Sequence, residues 1–157
     1  MKDKPRCNGL WTEARFNSFI KSALRGATRR WAPITTVRQE ARVERGKYRC
    51  VGYNRRSHVV PSSLPPKKGN KRRIKNALVD HINPIVDPAK GFESWDIIIE
   101  RMFVEEEGLQ VMCHVCHQLK CNDEKEIAKK RKLNEQEQSR LYEEFSCQCY
   151  GKPTTHT

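Results

Sequence analysis

No stretch of this sequence is long and apolar enough to span a membrane. The opening residues, Met1-Lys2-Asp3-Lys4-Pro5-Arg6, carry charge with no apolar segment behind them, so no secretion signal is expected and the cytoplasm is the expected location. Apolar residues are scarce: 36% of the chain is hydrophobic against 32% charged, which is lean for a core and asks for some other tie. Cysteines number seven, an odd count that fits a fully paired disulfide framework poorly. In a reducing compartment they are expected to be free thiols or metal ligands. Internal repeats and heptads are also lacking, so the expected state is a monomer or a weak dimer.

Positive charge is what the chain has in excess. Its 157 residues carry a net charge of +12, and the distribution is uneven. Residues 1–80 hold 21 Lys and Arg against 5 Asp and Glu, while residues 81–157 hold 10 against 14. A basic half joined to a mildly acidic one predicts a polyanion-binding face, with double-stranded DNA the expected partner.

Apolar spacing predicts a helix over residues 13–31, capped by Thr12, with Phe16, Phe19, Ile20, Ala23, Leu24, Ala27 and Trp31 on a core-facing stripe. Arg15, Lys21, Arg25 and Arg29 fall on its other side, and Pro33 is expected to end it. A shorter helix is expected over 36–44, a strand over 47–51, and irregular chain over 55–75. That irregular stretch contains Lys67, Lys68, Lys71, Arg72, Arg73 and Lys75. With the first helix, these predict contacts to phosphates, which give affinity without reading sequence. Strands are expected over 77–82 and 109–112, with a helix over 95–106 capped by Ser94 between them. A charged helix opens at Cys116 or His117 and runs to about Arg131 or on to Phe145. The tail 146–157, with Cys147 and Cys149, is expected to fray.

Two clusters about thirty residues apart carry the chemistry: Asp80-His81 at a strand end, and Cys113-His114-Val115-Cys116-His117 at a helix start. Phosphodiester hydrolysis needs an activated water, neutralisation of the scissile phosphate and help for the leaving oxygen. A divalent cation supplies the last two, and an imidazole, titrating near neutrality, supplies the first. His81 is therefore assigned as general base, and Asp80 and His117 as metal ligands. An O/N donor set suits Mg²⁺ or Mn²⁺, with Ni²⁺ and Zn²⁺ as further candidates. Neighbours on a strand point to opposite sides, so a bend at Asp80-His81 is expected to turn both into one cleft. Lys120, one turn beyond His117, is placed to reach a phosphate. Cys113 and Cys116 have the spacing of a zinc half-site, and Cys50 is the expected third ligand. Tyr53 stands where a second pair would need a cysteine, leaving His58 or Cys121 to complete a structural Zn²⁺ site.

Asp80-His81-Ile82-Asn83-Pro84 followed by Leu109-Gln110-Val111-Met112-Cys113 through Lys120 resembles the HNH endonuclease family. Val86-Asp87-Pro88, Gly91-Phe92, Trp95-Asp96, Arg101-Met102-Phe103 and the segment from Trp11 to Trp31 look like its phage-borne, homing-type branch. The resemblance covers residues 10–132. It implies an α+β fold with a ββα-metal (His-Me finger) core, a basic helical extension before it and a helix after it. It also implies metal-dependent cleavage of duplex DNA, in a bacterial host cell, with His81 as base and Asp80 and His117 on the ion. The expected division is an extension over 1–46, a nuclease domain over 47–132 and a tail over 133–157. Two positions depart from the family pattern. Gly108 stands where an Asn commonly steadies the loop of the catalytic His, leaving Asn83, Asn76 or a backbone group to do so, and the upstream zinc pair is incomplete. The alternatives are a zinc-stabilised DNA-binding protein without catalysis, and a regulator whose Glu105-Glu106-Glu107 and charged helix dock a basic protein partner.

Overall fold

Thr12 opens the first helix, its side-chain oxygen accepting the Arg15 N–H at 3.2 Å. In the computed structural model, which describes residues 3–149, this helix is α1, Glu13–Thr28. Its apolar stripe is not core: α1 buries no residue, and Phe19 is 55% exposed. The aromatics here meet each other and cations instead. Trp11 packs edge-on to Phe19, and the Arg6 and Arg15 guanidiniums lie over the Phe16 and Trp11 rings.

Pro33 begins a helix rather than ending one. It sits in the first turn of α2, Ala32–Glu40, where its missing N–H breaks no helical bond. Residues 42–44, expected to be helical, form strand β1 (Arg42–Glu44) beside β2 (Lys47–Cys50) and β3 (His58–Pro61) in an antiparallel sheet. Two further short strands, β4 (Ser63–Leu64) and β5 (Ile74–Lys75), pair across the basic loop. The segment expected to be irregular thus holds three short strands.

The central hairpin is β6 (Leu78–His81) against β7 (Leu109–Met112), with Asp80 opposite Gln110 and His81 opposite Leu109. Between them lies α3, Trp95–Met102, where the Ser94 hydroxyl accepts the Ile97 N–H at 3.3 Å. A single 3₁₀ turn over Glu106–Gly108 leads into β7. The last helix, α4, opens at His114 and runs unbroken to Cys149, so its backbone continues through the start of the tail expected to fray. Residues 150–157 of that tail lie outside the described residues, as do the side chains of Cys147 and Cys149. The chain is a mixed α+β protein of small antiparallel sheets with a C-terminal helix.

Alternation along the hairpin sorts its side chains. Leu78 and Asp80, with Met112 and Gln110 opposite, share the face toward α4. Val79 and His81, with Val111 and Leu109 opposite, share the face toward α2 and the end of α3. The core is small. Among the described residues ten apolar side chains are buried, and three of those are Cys50, Cys113 and Cys116. Every described side chain from Lys132 to Phe145 on α4 is exposed.

Candidate functional site

Cys50 ends β2, His58 begins β3, and Cys113 and Cys116 flank the first turn of α4. Their ligand atoms all lie within 4.8 Å of one another, so this cluster could hold a metal ion. Tetrahedral zinc with ~2.3 Å bonds to sulfur needs donors about 3.7 Å apart, which this spacing accommodates. The backbone is arranged for sulfur anions. Cys50 Sγ accepts the Gly52 N–H at 3.3 Å and the Cys113 N–H at 3.1 Å, and Cys113 Sγ accepts the Cys116 N–H at 3.4 Å. Burial pushes the Cys113 thiol up, but the Cys116 N–H and the side chains of His58, Cys116 and Cys50 outweigh it and bring it down to about 7. Burial dominates at Cys116 and raises it to about 11.

His58 takes the place that Tyr53 does not fill. Its Nδ1 lies 3.1 Å from the Arg56 carbonyl, which can only accept, so Nδ1 carries the proton and Nε2 is left as a donor to metal. That carbonyl raises the His58 pKa above its ordinary 6.5. The turn bringing His58 round depends on Gly52, whose φ is +80° and where a Cβ would sit 2.1 Å from the Arg56 carbonyl oxygen. The Tyr53 hydroxyl donates instead to Asp123 on α4. Cys121, the alternative to His58, lies elsewhere, 3.7 Å from the His117 ring nitrogens. Burial raises its thiol pKa.

A cleft of about 270 Å³ lies at the end of β6, bordered by Asp80, His81, the Pro84–Val86 segment, Lys120, Glu124 and, from α1, Arg25. The expected bend at Asp80-His81 is absent: pairing runs through His81, and the Ile82 N–H reaches the Gly108 carbonyl at 2.9 Å. Both residues still border the cleft because it takes in the strand end. Asp80 is oriented by two donors on one oxygen. Its Oδ2 accepts from Lys120 Nζ at 2.6 Å and from Gln110 Nε2 at 3.3 Å. Its Oδ1 faces His117 Nε2 at 3.6 Å. An ion with ~2.1 Å bonds needs neighbouring donors about 3 Å apart, so a small side-chain adjustment closes this pair on a cation. His81 Nε2 lies 3.1 Å from the Met102 carbonyl. A carbonyl cannot donate, so in the neutral ring Nε2 holds the proton and Nδ1 carries the lone pair.

Lys120 points inward rather than toward solvent. Besides Asp80 it reaches the His81 carbonyl, and Glu124 Oε1 lies 3.5 Å away. Glu124, which borders the cleft, and Gln110, which holds Asp80, are given no role by the sequence. The helical spacing of Glu124, four after Lys120 and seven after His117, is the signal that could have found it. Glu124 Oε1 is buried and accepts no hydrogen bond among the described residues.

At position 108 the contact to the end of β6 is made by backbone, the Gly108 carbonyl accepting the Ile82 N–H at 2.9 Å. A Cβ on Gly108 would meet the Val104 side chain at 2.7 Å. Asn76 is occupied elsewhere: it donates to the Pro61 carbonyl at 2.8 Å and accepts the His114 N–H at 3.0 Å, capping α4. Asn83 lines a neighbouring cavity of about 420 Å³.

The basic residues divide. Lys67, Lys68, Lys71, Arg72, Arg73 and Lys75 are exposed around the β4–β5 connection and do not line the cleft, with Arg73 Nε bonded to Ser63 Oγ at 2.9 Å. Arg15 covers Trp11, Lys21 lies 5.2 Å from the Phe92 ring centre, and Arg29 is exposed. Arg25 alone of the expected α1 cations borders the cleft. No helix among the described residues is long and apolar enough to cross a membrane. Comparison with protein-family models, curated proteins and solved structures returns no match.

Proposed function

We propose that this protein is a divalent-metal-dependent DNA endonuclease of the HNH type, hydrolysing phosphodiester bonds in duplex DNA on a ββα-metal core made of β6, β7 and α4. The observation that carries this reading is the convergence of Asp80 Oδ1 and His117 Nε2, 3.6 Å apart, beside a histidine whose Nδ1 is the basic nitrogen.

Asp80 and His117 would hold a divalent ion, which would supply Lewis acidity for the hydrolysis. The remaining work belongs to the chain. Lys120 and Gln110 occupy one Asp80 oxygen and so present the other to His117. The Met102 carbonyl fixes the His81 tautomer, leaving Nδ1 to take a proton from the attacking water. Water oxygen bonds to phosphorus, the bond from phosphorus to the departing deoxyribose oxygen breaks, and the proton taken by His81 is balanced by one delivered to that oxygen from solvent. Exposed cations of residues 1–80 hold the flanking phosphates without reading bases. At the second cluster we propose a structural Zn²⁺ on Cys50, His58, Cys113 and Cys116, tying β2, β3 and α4 together where the core is small.

Separating binding from chemistry tests this reading. His81→Ala should retain Mn²⁺ binding, followed by electron paramagnetic resonance, and lose duplex cleavage; Asp80→Ala and His117→Ala should lose both. Cleavage that survives all three substitutions contradicts it. A DNA-binding module without chemistry is the second reading, favoured by the Lys120 ammonium seated 2.6 Å from Asp80. Salt-sensitive duplex binding with no cleavage in any divalent ion would select it.

A further inference from the structure

Arg25 is the one residue from outside the hairpin-helix unit and its connecting segment that borders the cleft. It lies in the last turn of α1, and α1 is held in place from several sides. Lys21 sits over Phe92, and Phe92 packs edge-on to Trp95 at the start of α3. Just beyond α1, Trp31 Nε1 donates to the Val104 carbonyl at 2.7 Å, and its ring packs edge-on to Phe103. These contacts anchor α1 against the rest of the fold, and with it the backbone of Arg25 beside the cleft.

Arg25 is also unpaired. Other cations near carboxylates are engaged: Arg6 with Glu13, Arg101 with Glu93, Arg131 with Glu135, and Lys120 with Asp80. Arg25, bordering the same cleft as Asp80 and Glu124, makes no side-chain hydrogen bond or ion pair with any described residue. A guanidinium offers five donors in a planar fork that matches two oxygens of a phosphate. Phosphodiester hydrolysis adds negative charge to the non-bridging oxygens as the fifth bond forms, so such a fork is worth most at that moment.

We infer that Arg25 binds the scissile phosphodiester in the cleft. This makes α1 part of the active site rather than a remote grip on the DNA backbone, and Arg25 a catalytic residue contributed by the basic N-terminal segment. The inference rests on the nuclease reading for its chemistry but not for its binding step, and two arms of one experiment keep these apart. The first titrates the full chain, labelled with ¹⁵N-arginine, with a thymidine dinucleotide carrying one phosphodiester. The Arg25 Nε–H signal, identified by its loss in R25K, is followed with the His81 ring signals. Joint movement supports the proposal; movement of His81 without Arg25, or of neither, overturns it. The second arm measures cleavage and affinity on a 20-base-pair duplex. R25M should lower kcat by about 100-fold while duplex Kd changes less than about threefold, and R25K should recover part of the rate. An R25M enzyme as fast as wild type overturns the proposal. If wild type cuts in no divalent ion, the nuclease reading fails and the dinucleotide arm alone decides. Arg25 is exposed, so R25M should keep the wild-type melting temperature.

Discussion

Removing the proposed Zn²⁺ from the Cys50, His58, Cys113 and Cys116 cluster should unfold the body of this protein. These four ligands come from three separate segments, and their sulfurs make up much of one of its few buried clusters, alongside Val60 and Met112. Structural zinc contributes an apparent ~10–16 kcal/mol at neutral pH. Whole domains are stable by only ~5–15 kcal/mol. Loss of the ion therefore exceeds, or at best matches, all the stability a chain of this size holds. Cys113→Ser should behave like the chelated wild type, because it removes a ligand and leaves the Cys116 N–H with a weaker anchor. The assay is a thermal melt followed by tryptophan fluorescence. Trp31, bonded to the Val104 carbonyl and packed on Phe103, reports on the body of the fold. With a strong chelator the cooperative transition should vanish and return on adding Zn²⁺. Elemental analysis should find one zinc per chain. An unchanged melting temperature in chelator, with no metal bound, would refute the reasoning.

Metal affinity at this cluster should rise with pH between 6 and 8. Cys113 ionises at about 7 and the His58 pKa is raised, so acidification through that window protonates two groups that must be bare to bind. Competition with a coloured chelator measures this, and a flat profile would contradict it. Gly108→Asn should lower stability by ~1–3 kcal/mol in urea without raising activity, since its Cβ would press on Val104. Ile98→Ala, at a position 2% exposed, should cost ~2–5 kcal/mol in the same assay. A loss under about 0.5 kcal/mol would mean that α3 is not core.

The hairpin and the start of α4 were legible because local chemistry and position agree there. A short apolar run marks β7, Ser94 and Thr12 cap their helices, and Cys-x-x-Cys falls where the helix opens. His58 was legible once Tyr53 had closed the simpler pairing. The readings that failed each needed tertiary information. Helical spacing in α1 is real, but the stripe is only half covered: Phe16, Ile20, Leu24 and Ala27 are partly buried while Phe19 and Ala23 are exposed, so the pattern marks a shallow contact face rather than core. Pro33 fits either side of a helix boundary, and the residues after it decide. Short strands such as β4 and β5 exist only through their partners, so residues 55–75 looked irregular alone. Helical spacing places Lys120 one turn beyond His117, within reach of a phosphate. Its inward path to Asp80 and the His81 carbonyl depends on how α4 crosses β6.

The central claim is metal-dependent strand cleavage centred on His81, and supercoiled plasmid tests it most directly. Purified protein is incubated with the plasmid in Mg²⁺, Mn²⁺, Ni²⁺ or EDTA, beside His81→Ala. The account predicts conversion to nicked or linear DNA that requires a divalent ion and is lost in the variant. Intact plasmid in every metal, with folded protein that still retards it on a gel, would contradict the account.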